Sequence, residues 1–245
     1  MTARLNLPDY AKSCALTHGF FDDFNHYVTA DTWTTVADSG GTVAVGDAVG
    51  GRVTITTDGD DNDECYMVST GEIFLIAAGK SLIMDVRVQY TEANTDDANV
   101  YIGLAQEAAA NLLVDTGAGP ATTLDGVGFF KVDGGTRWQV ISSNATTQTK
   151  TDTSDTAGGS SFQTLRMEVT PVDATNAEVV FSIDTSGGQD FKQCRENGIS
   201  PRAPGIKHTV ALSGMAEMHA VIGAKAGAAN AEAIVVDYLQ IWQKR

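Results

Sequence analysis

The chain has 245 residues, of which 42% are hydrophobic and 19% charged. That is enough apolar material for a sizeable core and excludes a fully disordered chain, and the length suits one large all-β domain or two small ones. With 31 acidic residues against 16 basic ones the formal net charge is -15, and no Lys/Arg cluster forms a phosphate-neutralising stripe, so nucleic acid is not an expected partner.

Residues 1–20 read as an extended N-terminal arm. Leu5, Leu7, Pro8, Tyr10 and Leu16 follow neither a helical nor a strand period, and Pro8 biases Leu7 towards an extended conformation. Fixing such a segment costs about 1–2 kcal/mol per backbone residue, so it is expected to order only against a partner. These five residues are therefore the candidate interface residues, facing a neighbouring subunit.

The body, residues 21–245, starts around Phe20-Phe21-Asp22-Asp23-Phe24. From there, short alternating apolar runs are separated by Gly, Asp, Asn and Thr clusters, the punctuation of an antiparallel sheet. Strands are predicted over 51–57, 72–75, 81–90, 100–105, 126–132, 137–142, 164–169, 178–183, 218–223 and 233–242. The alternation is clean in Leu165-Arg166-Met167-Glu168-Val169 and in the later part of Leu82 to Tyr90, so one face packs and the other is wet. Only the Ala-rich stretches 105–113 and 223–233 leave room for a short helix. Strands without intervening helices point to an all-β, two-sheet antiparallel sandwich.

Little in the chain points to catalysis or metal binding. A retaining glycosidase needs two carboxylates about 5 Å apart, which concanavalin-like hydrolases place on alternate residues of one strand. No E-x-D-x-x-E pattern occurs, and the strand acids Asp85, Glu168, Glu178, Asp184 and Asp237 read as solvated or turn-capping groups. The run Asp58-Gly59-Asp60-Asp61-Asn62-Asp63-Glu64 begins like a calcium loop. Its sixth position, however, is Asp63 rather than Gly and its twelfth is Ser69 rather than Glu, so a polar interstrand loop is favoured. His18, His26, His208 and His219 lack zinc-ligand spacing, and Cys14, Cys65 and Cys194 form neither a disulfide framework nor a CxxC pair. No enzyme activity, metal or cofactor is expected. Trp33, Trp138 and Trp242 could line a sugar platform, although burial in a core or between subunits is the commoner role and Trp33 is the hardest to place. The opening MTARLNLPDYAKS has no apolar signal core, and no apolar run approaches a membrane span. The chain is thus read as soluble and made in a reducing cytoplasm, with no membrane partner.

Taken in order, FFDDFNHYVTADTWTTVADSGGTVAV, GGRVTITTDGDDND, GKSLIMDVRVQY with NVYIGLAQ, DGVGFFKV with RWQV, FQTLRMEV with AEVVFSID, and the closing IVVDYLQIWQKR resemble tailed-phage structural proteins with a concanavalin A-like jelly-roll sandwich. The resemblance implies a non-enzymatic capsid decoration or cement protein. Such a protein is made in a bacterial host, binds the major capsid protein and itself, often as a trimer, and resides on the virion. Similar sandwiches occur in lectins and glycan-binding modules, so a carbohydrate-binding role is the alternative.

Overall fold

A computed structural model describes residues 16–38, 40–92, 96–107, 110–144 and 147–245. Leu5, Leu7, Pro8 and Tyr10 of the expected arm lie outside the described residues, as does Cys14. The strands are β1 (Thr17–Asp22), β2 (Trp33–Ala37), β3 (Thr42–Val45), β4 (Val53–Thr56), β5 (Glu64–Ser69), β6 (Leu82–Tyr90), β7 (Ala98–Ala105) and β8 (Gly126–Lys131). They continue with β9 (Arg137–Asn144), β10 (Thr147–Thr156), β11 (Gln163–Pro171), β12 (Asn176–Asp184), β13 (Lys192–Gln193), β14 (Lys207–Ala211), β15 (His219–Ala226) and β16 (Ala233–Lys244). None of the described residues is helical, and the described parts of the two Ala-rich stretches are not helix.

The strands build two antiparallel sheets. The nine-stranded sheet runs β13-β12-β11-β6-β16-β4-β3, with β1 also on β16 and β14 also on β12. Its organiser is the 12-residue β16, which pairs with β6, holds β4 through Ala233 to Val236 and holds β1 through Leu239 to Lys244. The seven-stranded sheet runs β10-β9-β8-β7-β15-β5-β2.

Strand alternation sets the core. Leu82, Met84, Val86, Val88 and Tyr90 of β6 point inward, as do Leu165, Met167 and Val169 of β11, while Asp85, Arg87, Gln89, Arg166 and Glu168 stand on the opposite face. Rings cross between the sheets: Phe129 meets Phe181 edge-on at 5.4 Å, and Trp138 meets Tyr90 at 5.9 Å. Polar links cross as well, with Trp138 Nε1 donating to Gln163 Oε1 at 2.9 Å and the buried His208 ring joining Ser142 to Thr151.

Three expectations are corrected. Residues 17–20 are not arm: β1 begins at Thr17 and is paired along its whole length with Leu239 to Lys244, because Phe20 packs on the core and fixes the strand there. The run 72–75 is not a strand and makes only an isolated bridge, Phe74 to Met218. Asp85 is neither solvated nor a turn cap but 1% exposed within its sheet.

The two outer faces differ in covering. On the seven-stranded sheet Tyr66, Tyr101, Phe130, Ile141 and Val221 form a second apolar cluster, completed by Leu112, Leu113 and Leu124 of the segment that crosses from β7 to β8. This explains why β5, β7 and β8 are buried at every residue rather than at alternate ones. Strand glycines clear the space for the rings. A Cβ on Gly223 would stand 2.2 Å from the Tyr66 ring, and one on Gly126 would stand 3.2 Å from the Tyr101 hydroxyl.

Candidate functional site

At one end of the sandwich, β1, the turn after it and the start of β2 wall a depression of about 310 Å³, lined by Phe20 to Asp23, Asn25 to Val28 and Asp31 to Trp33. Its floor is an aromatic cluster. Trp33, only 2% exposed, meets Phe20 edge-on at 5.5 Å and Phe24 at 5.9 Å. The sequence leaves Trp33 the hardest tryptophan to place; the structure makes it core, locked by a 2.7 Å hydrogen bond from Nε1 to Asp22 Oδ2. Asp22 Oδ1 accepts from the Phe24 backbone amide at 2.8 Å, so both of its oxygens serve the fold. Phe24 holds a left-handed φ of 51°, a conformation uncommon for a bulky residue, which its complete burial over-determines.

Above this floor the lining is accessible and mixed. Phe21 is 55% exposed. The Tyr27 hydroxyl is fixed to Thr35 Oγ1 at 2.7 Å, which orients its half-buried ring, and Asp23 Oδ1 accepts from Asn25 Nδ2 at 2.7 Å. His26 and Asp31 are exposed on the same rim. Aromatic faces beside carboxylate and amide groups suit a neutral, hydroxyl-rich ligand. A second depression, of about 380 Å³, opens beside the segment covering the seven-stranded sheet and has no aromatic lining.

The acids singled out in the sequence are engaged elsewhere. Asp85 takes a two-pronged ion pair from Arg166, with Nε to Oδ1 and Nη2 to Oδ2 both at 2.7 Å, and a further bond from Gln240 Nε2 at 2.6 Å. The Phe191 ring lies 3.7 Å from the Arg166 guanidinium carbon. Asp237 sits at the register shift of β16, where a bulge sets it against Arg87. Glu178 pairs with Lys207 at 3.1 Å. Asp184 caps the turn after β12: Oδ1 accepts from the Ser186 amide and Oδ2 from the Gln189 amide, at 2.7 and 2.8 Å. Burial works to raise its pKa, but those bonds outweigh it and leave the carboxyl below its ordinary range. In the acidic loop after β4, Asp58 Oδ1 accepts from the Gly59 amide and Asp63 Oδ2 from the Asp60 amide. Among the described residues no group of three or more His, Cys, Asp or Glu is placed to hold a metal ion.

The histidines stand apart. His18 Nε2 donates to the Ile73 carbonyl, His219 Nδ1 donates to the Ser69 carbonyl, and His208 is buried between the sheets. Of the expected interface residues, Leu16 is described: it is 59% exposed, and its carbonyl accepts from the Arg245 amide. The depression was not recognised in the sequence as a site, although FFDDFNHYVTADTW contains its residues. Its signal is the density of aromatic, Asp and Asn residues between two strands.

No protein-family model and no curated protein matches the chain. Solved structures do match it in shape. An endo-1,3-beta-glucanase from Streptomyces sioyaensis is 15% identical over 97% of this chain and 98% of that one, with a TM-score of 0.58. The legume lectin-like domain from Entamoeba histolytica is 12% identical over 86% and 89%, with a TM-score of 0.57. A protein of unknown function from Shewanella oneidensis MR-1 is 12% identical over 94% and 87%, also with a TM-score of 0.57. None of these likenesses bears on a capsid role. With the two antiparallel sheets and their inter-sheet core, they place the fold of this chain among the legume-lectin-like jelly-roll sandwiches.

Proposed function

We propose that the protein is a non-catalytic carbohydrate-recognition domain that binds glycan in the depression between β1 and β2. The observation that carries this reading is the lining: an exposed Phe21 and an oriented Tyr27 beside Asp23, Asn25 and Asp31, over a rigid aromatic floor. Pyranose rings stack on aromatic faces, and their hydroxyls bond to carboxylate and amide groups. The likeness to a glucanase and to a lectin-like domain supports the class of ligand. The ion-paired and capping roles of the strand acids support binding without hydrolysis, which would require two cooperating carboxylates. The test is titration calorimetry and a glycan array, with β-1,3-glucan oligosaccharides included. Binding that is lost in Tyr27→Ala, with no new reducing ends released, is the expected result. Failure to bind any glycan on the array, or turnover, overturns the reading.

A second reading, attachment to the major capsid protein as a decoration protein that also associates with itself, rests on a different observation. Leu16, Phe21 and Ile73 are 59%, 55% and 49% exposed around β1, which among the described residues pairs with β16 alone, and His18 ties that strand to Ile73. Apolar groups beside a strand edge favour a protein partner. Light scattering for a trimer, and co-sedimentation with empty shells, tests it. A monomer that fails to sediment with shells removes it.

A further inference from the structure

We propose that Lys225 and Asn111 join in an intramolecular amide bond that the protein forms on itself, with Glu64 shuttling the proton. Lys225 on β15 and Glu64 on β5 are direct cross-strand partners on the outer face of the seven-stranded sheet, each 1% exposed, with Lys225 Nζ 3.5 Å from Glu64 Oε2. Asn111 belongs to the segment that crosses this face. It holds a left-handed φ of 66°, and its Oδ1 accepts from Lys225 Nζ at 2.8 Å while its backbone amide donates to Glu64 Oε1 at 2.5 Å. The Lys225 amine thus touches the Asn111 carboxamide and lies beside the Glu64 carboxyl, which in turn holds the Asn111 backbone. Tyr66 fixes the carboxyl by donating to Glu64 Oε2 at 2.9 Å; Tyr66, Leu112 and Leu113 belong to the apolar cluster on this face, while Asn111 itself is exposed.

The chemistry needs a neutral amine and a proton donor for the amide. Burial raises the proton affinity of Glu64, against the opposing effects of the Asn111 amide, Lys225 and Tyr66. Lys225 enters the reaction as the amine by handing a proton to Glu64, whose Oε2 lies 3.5 Å from Nζ. Lys225 Nζ then attacks Asn111 Cγ, while Glu64 protonates the developing oxyanion at Oδ1 and afterwards takes the surplus proton from Nζ. Collapse of the intermediate, with that proton passed on to Nδ2 and the Oδ1 hydroxyl proton returned to Glu64, restores the Cγ–Oδ1 double bond, breaks the Cγ–Nδ2 bond and releases ammonia, leaving the Nζ–Cγ bond made in the attack. Glu64 ends as it began, and no oxidant or other co-reactant is used. Asp115 Oδ1 lies 2.5 Å from Nζ but is 61% exposed, so it holds the amine in register and links it to water. The product staples the covering segment to β15 across 114 residues of chain, which constrains the unfolded state as a disulfide does.

Intact-mass measurement of the purified full chain tests this directly. The expected result is a mass about 17 Da below that of the sequence. Proteolysis should give a branched peptide joining the segments around residues 111 and 225, which distinguishes the cross-link from a succinimide of equal mass. Glu64→Gln and Asn111→Gly, which keeps the left-handed φ of 66° without strain, should both restore the full sequence mass while keeping the wild-type far-UV spectrum, as should Asn111→Ala where it folds. A folded wild-type chain at full mass after days at 37 °C, a loss of about 18 Da linking Asp115 instead, or an Asn111→Ala chain that still carries the branched peptide overturns the proposal. Because glycan binding uses the other end of the sandwich, neither result depends on it.

Discussion

The outer faces of the two sheets obey the same strand alternation and solve it in opposite ways. On the nine-stranded sheet many outward residues are polar, and the charged ones neutralise each other laterally: Asp85 with Arg166, Asp237 with Arg87, Glu178 with Lys207. On the seven-stranded sheet the outward residues are largely apolar, and Leu112, Leu113 and Leu124 lie over them, with Lys225 and Glu64 buried at the margin. The contrast teaches that burial on a sandwich is decided by what the connections cover, and not by the period-2 pattern alone. The acid most enclosed on the open face, Asp85, is satisfied by a planar guanidinium and an amide, which supply three donors.

Removing the cover's apolar anchor should separate the faces most sharply. Leu113 is fully buried, and Leu113→Ala removes atoms from a packed site that cannot collapse onto a rigid sheet. The expected cost is about 4 kcal/mol, read as a lower midpoint in urea unfolding. A change below 1 kcal/mol would mean that the covering segment is only loosely attached. On the open face, Asp85→Asn keeps the shape but leaves Arg166 with an unbalanced charge. We expect a loss of about 2 kcal/mol, smaller because Arg166 still reaches water. Equal losses for the two variants would erase the distinction between the faces.

The difference between the faces also governs what the sequence reveals. Strand β6 and strand β11 are legible because their outer residues are charged and their inner ones apolar. The sandwich class follows from them and from the absence of helical periods. Strand β5, Glu-Cys-Tyr-Met-Val-Ser, hides at the end of an acidic loop because both its faces are buried and no alternation remains. Strand β10, Thr147 to Thr156, hides for the opposite reason: its inner face is made of threonines, so it reads as a polar loop although Thr153 is completely buried. The aromatic and acidic residues of the candidate site are visible in the sequence, but their convergence on one depression depends on β1 pairing with β16, a contact of more than 200 residues in separation.

Acid should sharpen the comparison from inside the sandwich. Burial lowers the pKa of His208 from 6.5 to about 4, because the ring is placed between the sheets with Ser142 and Thr151 and no carboxylate. A histidine with a depressed folded-state value binds its proton more readily when unfolded. Its contribution is therefore fully present above pH 6.5 and lost as the pH falls from there through about 4. One group supplies a slope of at most about 1.4 kcal/mol per pH unit. In His208→Asn, urea midpoints measured across this window should lose that slope. An unchanged pH profile would mean that the ring is protonated in the folded chain.

The smallest effect on stability is expected where the proposed function is most concentrated. Phe21 stands on β1, 55% exposed, 6.0 Å from the Tyr238 ring, and contributes no atoms to the inter-sheet core. Phe21→Ala should change the unfolding free energy by no more than about 0.5 kcal/mol. An exposed aromatic that the fold does not need is nevertheless suited to stacking against a ligand, and such a contact is worth about 1–2 kcal/mol, or roughly a tenfold loss of glycan affinity. Calorimetric unfolding and glycan titration on the same variant separate the two roles. A stable variant with weakened glycan binding supports the depression as the site. A stable variant that binds glycan unchanged but no longer associates with itself or with shells transfers Phe21 to the protein-partner reading. A variant that loses several kcal/mol would show that β1 leans on Phe21 for its docking, and that the two ends of this sheet are less independent than their packing indicates.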